Sequence, residues 1–172
     1  MKPSESGSNH SKSLTILLNE LIIILGRARG FWCRDLGKVG AGVPRIRVLV
    51  VEDFAPFRRL ICSILEKRTE LQVVGEVSDG LQAVQEAEEL KPDLILLDIG
   101  LPTLNGIEAA LRIRSLVPES KIIYVSQESL ADVVQEALSV GAWGYIVKTH
   151  VGSELLAAVD AVLSGKQFVS TS

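Results

Sequence analysis

The chain is short of the residues that build several kinds of protein. It has two cysteines, Cys33 and Cys62, among 172 residues. That is too few for a disulfide framework, and they lack the paired spacing of a zinc site. Such usage fits a reducing compartment, so a cytoplasmic location is expected. The two histidines, His10 and His150, stand far apart in sequence and do not pair as metal ligands. Aromatic residues make up only 5%, so any core must be built from Leu, Ile, Val and Ala. There is no basic surplus: the net charge is −3. This argues against a general nucleic-acid binder. No apolar run reaches the roughly 18 residues of a membrane-spanning helix. The nearest, Leu14–Leu25 (LTILLNELIIIL), is broken by Asn19 and Glu20. Lys2 and Lys12 precede it as in a signal peptide, but no small-residue cleavage site follows. Membrane attachment is therefore not expected.

What is present divides near residue 45. Residues 1–13 are polar and Ser-rich and read as disordered. Residues 26–44 carry scattered Arg, Lys and Gly and end in GKVGAGVP. A phosphate-binding glycine loop follows a strand and opens a helix. This one precedes a strand, so a linker is the better reading. Residues 1–45 thus form an N-terminal extension, disordered or partly helical, and residues 46–172 form the domain. Two readings of the extension compete. In one, Leu14–Leu25 is a surface helix with Arg27, Arg29 and Arg34 near anionic lipid or a partner. In the other, slightly favoured, the natural start lies downstream near Val43.

From Arg45 onward, apolar runs of strand length alternate with segments of helical period. The strand candidates are Arg47–Val51, Gln72–Val77, Leu94–Leu97, Ile122–Val125 and Gly144–Val147. They are rich in Val, Ile and Leu with little alternation, as strands buried on both faces should be. The helix candidates are Ala55–Lys67, Gly80–Leu90, Gly106–Leu116, Leu130–Val140 and Gly152–Ser164. In the first, Phe57, Leu60, Ile61, Ile64 and Leu65 form one apolar face. In the fourth, Val133, Val134, Ala137 and Leu138 point inward. Five strand–helix units predict an α/β fold: a doubly wound, five-stranded parallel sheet, order 2-1-3-4-5, with helices on both faces.

Four of these strands run into residues that carry chemistry. The first leads into Glu52 and Asp53, the third into Asp98, the fourth into Ser126 and the fifth into Lys148. Carboxyl ends of a parallel sheet share one edge, where ligands bind beside the reversal of strand order. Singly, each residue is more simply a cap, a turn residue or a solvated charge. Together, at successive strand ends, they point to one cleft. Three carboxylates repel one another and need more cation than Lys148 supplies. A hard divalent ion suits them: Mg²⁺ takes one or two carboxylates and keeps waters for an incoming phosphate. Asp98 can then attack phosphorus, as aspartyl-phosphate enzymes do. The metal and Lys148 would stabilise the phosphoryl oxygens, and Ser126 would hydrogen-bond the attached group. Gly100 leaves room for backbone near the metal, and Pro102 fixes the turn.

The segments VLVVEDF, DLILLDIGLPTLNGIEA, YVSQES and GAWGYIVKT stand in an order and spacing that resemble the receiver domain of two-component response regulators. The resemblance covers residues 46 to about 170. It implies the flavodoxin-like fold of receivers and phosphorylation of Asp98 by a sensor histidine kinase or phosphotransferase. It implies Mg²⁺ held by Asp53, Asp98 and the Gly100 carbonyl, with Glu52 acting through a metal-bound water. Lys148 and Ser126 would bind the phosphoryl group, and Ser126 and Tyr145 would be the switch pair. For Tyr145, a half-buried strand residue is an equally good reading. The fourth helix, fifth strand and fifth helix would form the output face and the surface of a homodimer. DIGLPTLNGIEAALRIR and ELLAAVDAVLSGKQFVS are similar to the NarL/FixJ subfamily, whose members usually continue into a helix-turn-helix domain. No such motif fits after residue 164, so direct nucleic-acid binding by this chain is not expected.

Two departures stand out. Thr149 follows Lys148 where many receivers have proline, and Gln127 and Glu128 follow Ser126 where small residues are common at the first position. An enzyme on this fold is disfavoured, because an aspartyl-phosphate phosphatase generally needs a second acid where Gly100 stands. The chain is read as a non-enzymatic phospho-switch, or as the receiver half of a transcription regulator. Arg58 and Arg59, beside Phe57 on the first helix, read as a solvated face rather than a kinase contact.

Overall fold

The computed structural model describes residues 45–170. Residues 1–44 of the extension, including Leu14–Leu25 and Cys33, and residues 171–172 lie outside the described residues. Among the described residues, six strands and five α-helices alternate. They are β1 (Ile46–Val51), α1 (Ala55–Leu65), β2 (Leu71–Val77), α2 (Gly80–Leu90), β3 (Leu94–Asp98) and α3 (Gly106–Leu116). There follow β4 (Lys121–Ser126), α4 (Ala131–Ser139), β5 (Gly144–Val147), α5 (Val151–Leu163) and β6 (Phe168–Val169). One parallel sheet runs β2-β1-β3-β4-β5-β6. None of the described helices is long and apolar enough to cross a membrane.

The doubly wound arrangement follows from where the apolar runs can hide. β3 is buried at every residue, and β4 at all but its first. Their successive side chains point to opposite faces, so each face needs a cover. Val48, Val50, Leu94, Leu96, Ile123 and Ile146 pack under α1 and α5. Leu49, Val51, Ile95, Leu97, Tyr124 and Tyr145 face the side of α2, α3 and α4. Local signals set the helix ends. Asp79 accepts from the Leu81 and Gln82 amides, and Asn105 from that of Glu108, each satisfying donors left open by the first helical turn. Lys91 leaves α2 at φ 46°, directly before Pro92.

The sequence reading needs three amendments here. There are six strands, not five: Phe168–Val169 continues the sheet beyond β5, with the Phe168 and Ser170 amides donating to the Trp143 and Tyr145 carbonyls. β2, an edge strand, is only half-buried over most of its length. Leu60 points to solvent at 45% exposure, so the apolar face of α1 is narrower than its sequence suggests.

Candidate functional site

The strand register brings the chemistry-bearing residues together. β1 and β2 both flank the start of the wind, and β1 also pairs with β3, so Val51 lies beside Leu97 just before the two acidic ends. β3 pairs with β4, aligning Asp98 with Val125, and β4 with β5, aligning Ser126 with Val147. After Val147 the chain makes a 3₁₀ turn, Lys148–His150, closed by the Val151 amide on the Lys148 carbonyl. Asp53, Asp98, Gly100, Ser126 and Lys148 line an open cleft of about 870 Å³. Glu52, Asp53 and Asp98 each offer an oxygen within 4.8 Å of the others.

Lys148 ties the carboxylates together. Its Nζ donates to Asp98 Oδ2 at 2.8 Å and to Glu52 Oε1 at 2.9 Å. Glu52 Oε2 also lies 2.8 Å from Nζ, an ion-pair contact that lacks hydrogen-bond alignment. Glu52 is fully buried, Asp98 is 5% exposed, and Asp53 is exposed. Burial raises the Glu52 carboxyl above the usual range; Lys148 opposes the shift and the Asp98 charge adds to it. Burial pulls the Lys148 ammonium down, but its hydrogen bonds to Asp98 and Glu52 outweigh that and hold it charged. Three carboxylates and one ammonium carry a formal charge of −2. One buried Glu52 oxygen has no hydrogen-bond donor. An oxygen-only, doubly negative donor set of this kind fits a small hard cation such as Mg²⁺.

The rest of the site is a hydrogen-bonded frame. The Gly100 amide donates to Asp98 Oδ1 at 3.1 Å. The Glu128 amide donates to Ser126 Oγ at 3.1 Å, and the Tyr145 hydroxyl donates to the Glu128 carbonyl at 2.8 Å. Tyr145 is fully buried, not half-buried, and burial raises its hydroxyl pKa. Gln127 and Glu128 line the cleft with exposed side chains.

Two roles escaped the sequence reading. Arg58 is not part of a solvated face: its Nη1 donates to the Glu52 carbonyl at 2.5 Å, and its Nε lies 3.4 Å from Glu76. The available signal was its position one turn into α1, where the side chain reaches back to the end of β1. A steric demand for glycine falls on Gly106, beyond the turn at Gly100. A Cβ on Gly100 would lie 3.9 Å from both Asp98 oxygens, an ordinary contact, whereas one on Gly106 would lie 2.0 Å from the Asp98 carbonyl oxygen. Glycine in the first turn of an otherwise good helix was the clue, since it costs stability unless backbone must approach closely. The left-handed residue in this loop is Thr103, at φ 60°.

Comparisons with known proteins agree with this architecture. The chemotaxis protein CheY of Thermotoga maritima is 38% identical over 116 residues, 67% of this chain and 96% of CheY. The transcriptional regulatory protein LiaR of Bacillus subtilis is 35% identical over 121 residues, covering 70% of this chain and 57% of LiaR. The chain spans about half the length of such regulators. Among solved structures, a LuxR-family two-component response regulator from Aurantimonas sp. SI85-9A1 superposes with a TM-score of 0.69 at 29% identity, over 72% of this chain and 89% of that one. The response regulator domain of Thermotoga maritima CheB gives 0.65 at 38% identity, over 70% and 97%. The family model of the response regulator receiver domain matches residues 48–160, and with these strand ends, this sheet order and these relatives, the chain belongs to the response regulator receiver domain family.

Proposed function

We propose that the domain is a phosphorylation-driven switch with Asp98 as acceptor. The observation that carries this is a nearly buried carboxylate at a strand end, held 2.8 Å from Lys148, with two further acids within ligand distance. An Asp98 carboxylate oxygen forms a bond to phosphorus as the donor's bond to phosphorus breaks, and the leaving group departs with that electron pair. With a histidine kinase or phosphotransferase as donor, the bond broken is P–N. Asp53, Asp98 and the Gly100 carbonyl would hold Mg²⁺, with Glu52 acting through water. The ion supplies charge neutralisation for the transferring group. Lys148 neutralises the acceptor and the arriving oxygens. Ser126 donates to the phosphoryl group once its hydroxyl leaves the Glu128 amide. That exchange tugs the Ser126–Glu128–Tyr145 chain of hydrogen bonds, so phosphorylation biases two arrangements of the loop before α4.

The output is read by protein contact on the α4–β5–α5 face. A homodimer formed there would include β6, which occupies the outer edge of β5. The domain itself has no enzymatic role in this reading beyond accepting the phosphoryl group, and it works in the cytoplasm. Likeness to LuxR-family and LiaR-type regulators supports a NarL/FixJ-like placement. It also supports a second reading, in which this domain is the receiver half of a DNA-binding regulator.

Incubation with acetyl phosphate, with and without Mg²⁺, followed by intact-mass spectrometry tests the proposal. A Mg²⁺-dependent phosphoryl adduct that disappears in Asp98→Ala is expected. An adduct of equal yield in Asp98→Ala would overturn the assignment.

A further inference from the structure

The turn that carries Lys148 is short, though anchored at one end by β5 and at the other by the buried Val151 of α5. It is one 3₁₀ turn of three residues, its middle residue Thr149 is exposed, and no ring limits the backbone there. In the proposed reaction its lysine must stay aimed while Asp98 changes from a carboxylate, with which it now pairs, to a phosphorylated acyl group. What grips the turn from outside is the end of the described chain. The Ser170 amide donates to the Tyr145 carbonyl at 2.8 Å, fixing the strand after β6 beside the end of β5. Its hydroxyl donates to Glu154 Oε2 on the first turn of α5. The same oxygen lies 3.3 Å from His150 Nδ1, on the last residue of the Lys148 turn. His150 and Glu154 themselves approach to 3.9 Å, and Ser153 Oγ donates to the His150 carbonyl at 3.1 Å.

The cluster is not a hydrolytic triad. One imidazole nitrogen, Nδ1, faces both the serine and the glutamate, so the ring cannot relay a proton between them. Its geometry is that of a clamp: three side chains from β6's extension, the 3₁₀ turn and α5 meet at one hydroxyl.

We propose that Ser170, His150 and Glu154 are positioning residues for Lys148, and that the C-terminal strand braces the phosphoryl-binding turn from the far side of β5. The inference rests on the reading of the cleft as a phosphoryl-acceptor site. It adds that residues beyond the cleft, ending at Ser170, set how well Lys148 meets the transferring group. None of the three touches the acids that would bind Mg²⁺. Their effect on the ion passes through the Lys148 ammonium, which pairs with Asp98 and Glu52, so a displaced Lys148 competes less with the ion and does not weaken its binding.

The test uses the full chain and the variants Ser170→Ala, His150→Ala and Ser170→Thr. Three quantities are measured at fixed pH: the rate of adduct formation from acetyl phosphate, the Mg²⁺ dissociation constant by calorimetry, and amide hydrogen exchange at residues 148–150. Displacement of a catalytic group by about 1 Å can cost up to 100-fold, so a drop of roughly tenfold in rate is expected for Ser170→Ala and His150→Ala. Mg²⁺ affinity should hold or rise and not fall, exchange at 148–150 should quicken, and Ser170→Thr, which keeps the hydroxyl, should behave as the wild type. Unchanged rates in both alanine variants, or a fall in Mg²⁺ affinity parallel to the rate, would overturn the brace. A wild-type chain that takes no adduct would refute the acceptor reading instead. In that case the exchange data still decide the brace, which fails if residues 148–150 exchange equally in wild type and Ser170→Ala.

Discussion

α4 and α5 cover the two faces of the same strand, β5, and do so very differently. α5 buries Val151, Leu155, Ala158, Val159 and Val162 against Val48, Leu96, Ile123 and Ile146. α4 buries Ala137 alone, with Val134 and Leu138 half-buried beside it. Leu130, just before α4, is 64% exposed. Under α5 the fully buried residues are all aliphatic. On the α4 side lie the two tyrosines, Tyr124 and Tyr145, with ring centroids 6.5 Å apart. Tyr145 has a hydrogen-bond partner; the buried Tyr124 hydroxyl has none among the described residues. One face is sealed as a scaffold. The other is lightly held, and it is the face reached by the hydrogen-bond chain from Ser126. Elements that move in signalling come from the low-stability end of a structure. If the domain is the switch proposed above, this asymmetry makes α5 its scaffold and α4 its responding element.

Truncating a side chain of α5 tests the contrast between the two faces most directly. Leu155→Ala removes a fully buried side chain from the aliphatic layer and should cost about 2–5 kcal/mol in urea unfolding. A loss below about 1 kcal/mol would mean that the layer collapses easily and that the contrast is false. The chemistry of Cys62, on α1 in the sealed layer, sharpens the same point. Burial, with Glu76 and Glu66 nearby, pushes its thiol up to about 12 from an ordinary value of 9.0. The folded state thus holds this proton after the unfolded chain has released it. The stabilisation is complete below about pH 9 and is lost as pH rises toward 12. At pH 8, thiol reagents should label Cys62 slowly until the protein unfolds, as peptide mapping can measure; rapid labelling of the folded protein would contradict a closed layer.

The corresponding cut in α4 should do less. Val134→Ala, at a half-buried site, is expected to cost about 1 kcal/mol, and to raise amide exchange in α4 without changing that of α5. The smallest effect is expected at Tyr124. Its hydroxyl forfeits solvation and gains no partner, so Tyr124→Phe should be neutral or slightly stabilising within about 1 kcal/mol. A clear loss of stability would reveal a partner for that hydroxyl.

The scaffold was the more legible half of the molecule in its sequence. Leu94–Leu97, a short apolar run before an acid and a Gly-Leu-Pro turn, reads as a strand buried on both faces, and β3 is buried at every residue. The convergence of Glu52, Asp53, Asp98, Ser126 and Lys148 could be read because each stands directly after a recognisable strand. What could not be read depends on tertiary pairing. Phe168–Val169 is too short to carry a period of its own, and it is a strand only because β5 offers an edge. Arg58 looks like any helix-surface arginine until the end of β1 is seen above it. Gly100 drew attention through its place in the turn, while the real steric demand fell on Gly106, where α3 passes over the Asp98 carbonyl.

In the proposed switch the phosphoryl group reaches Asp98 and no other side chain. Borohydride reduces an acyl phosphate to an alcohol, so treatment of the phosphorylated chain followed by peptide sequencing marks the acceptor. Homoserine at position 98, formed only in samples given both phosphodonor and Mg²⁺, is the expected result. Homoserine at position 53 instead, or a phosphoryl group that survives borohydride on a hydroxyl or imidazole, would contradict it.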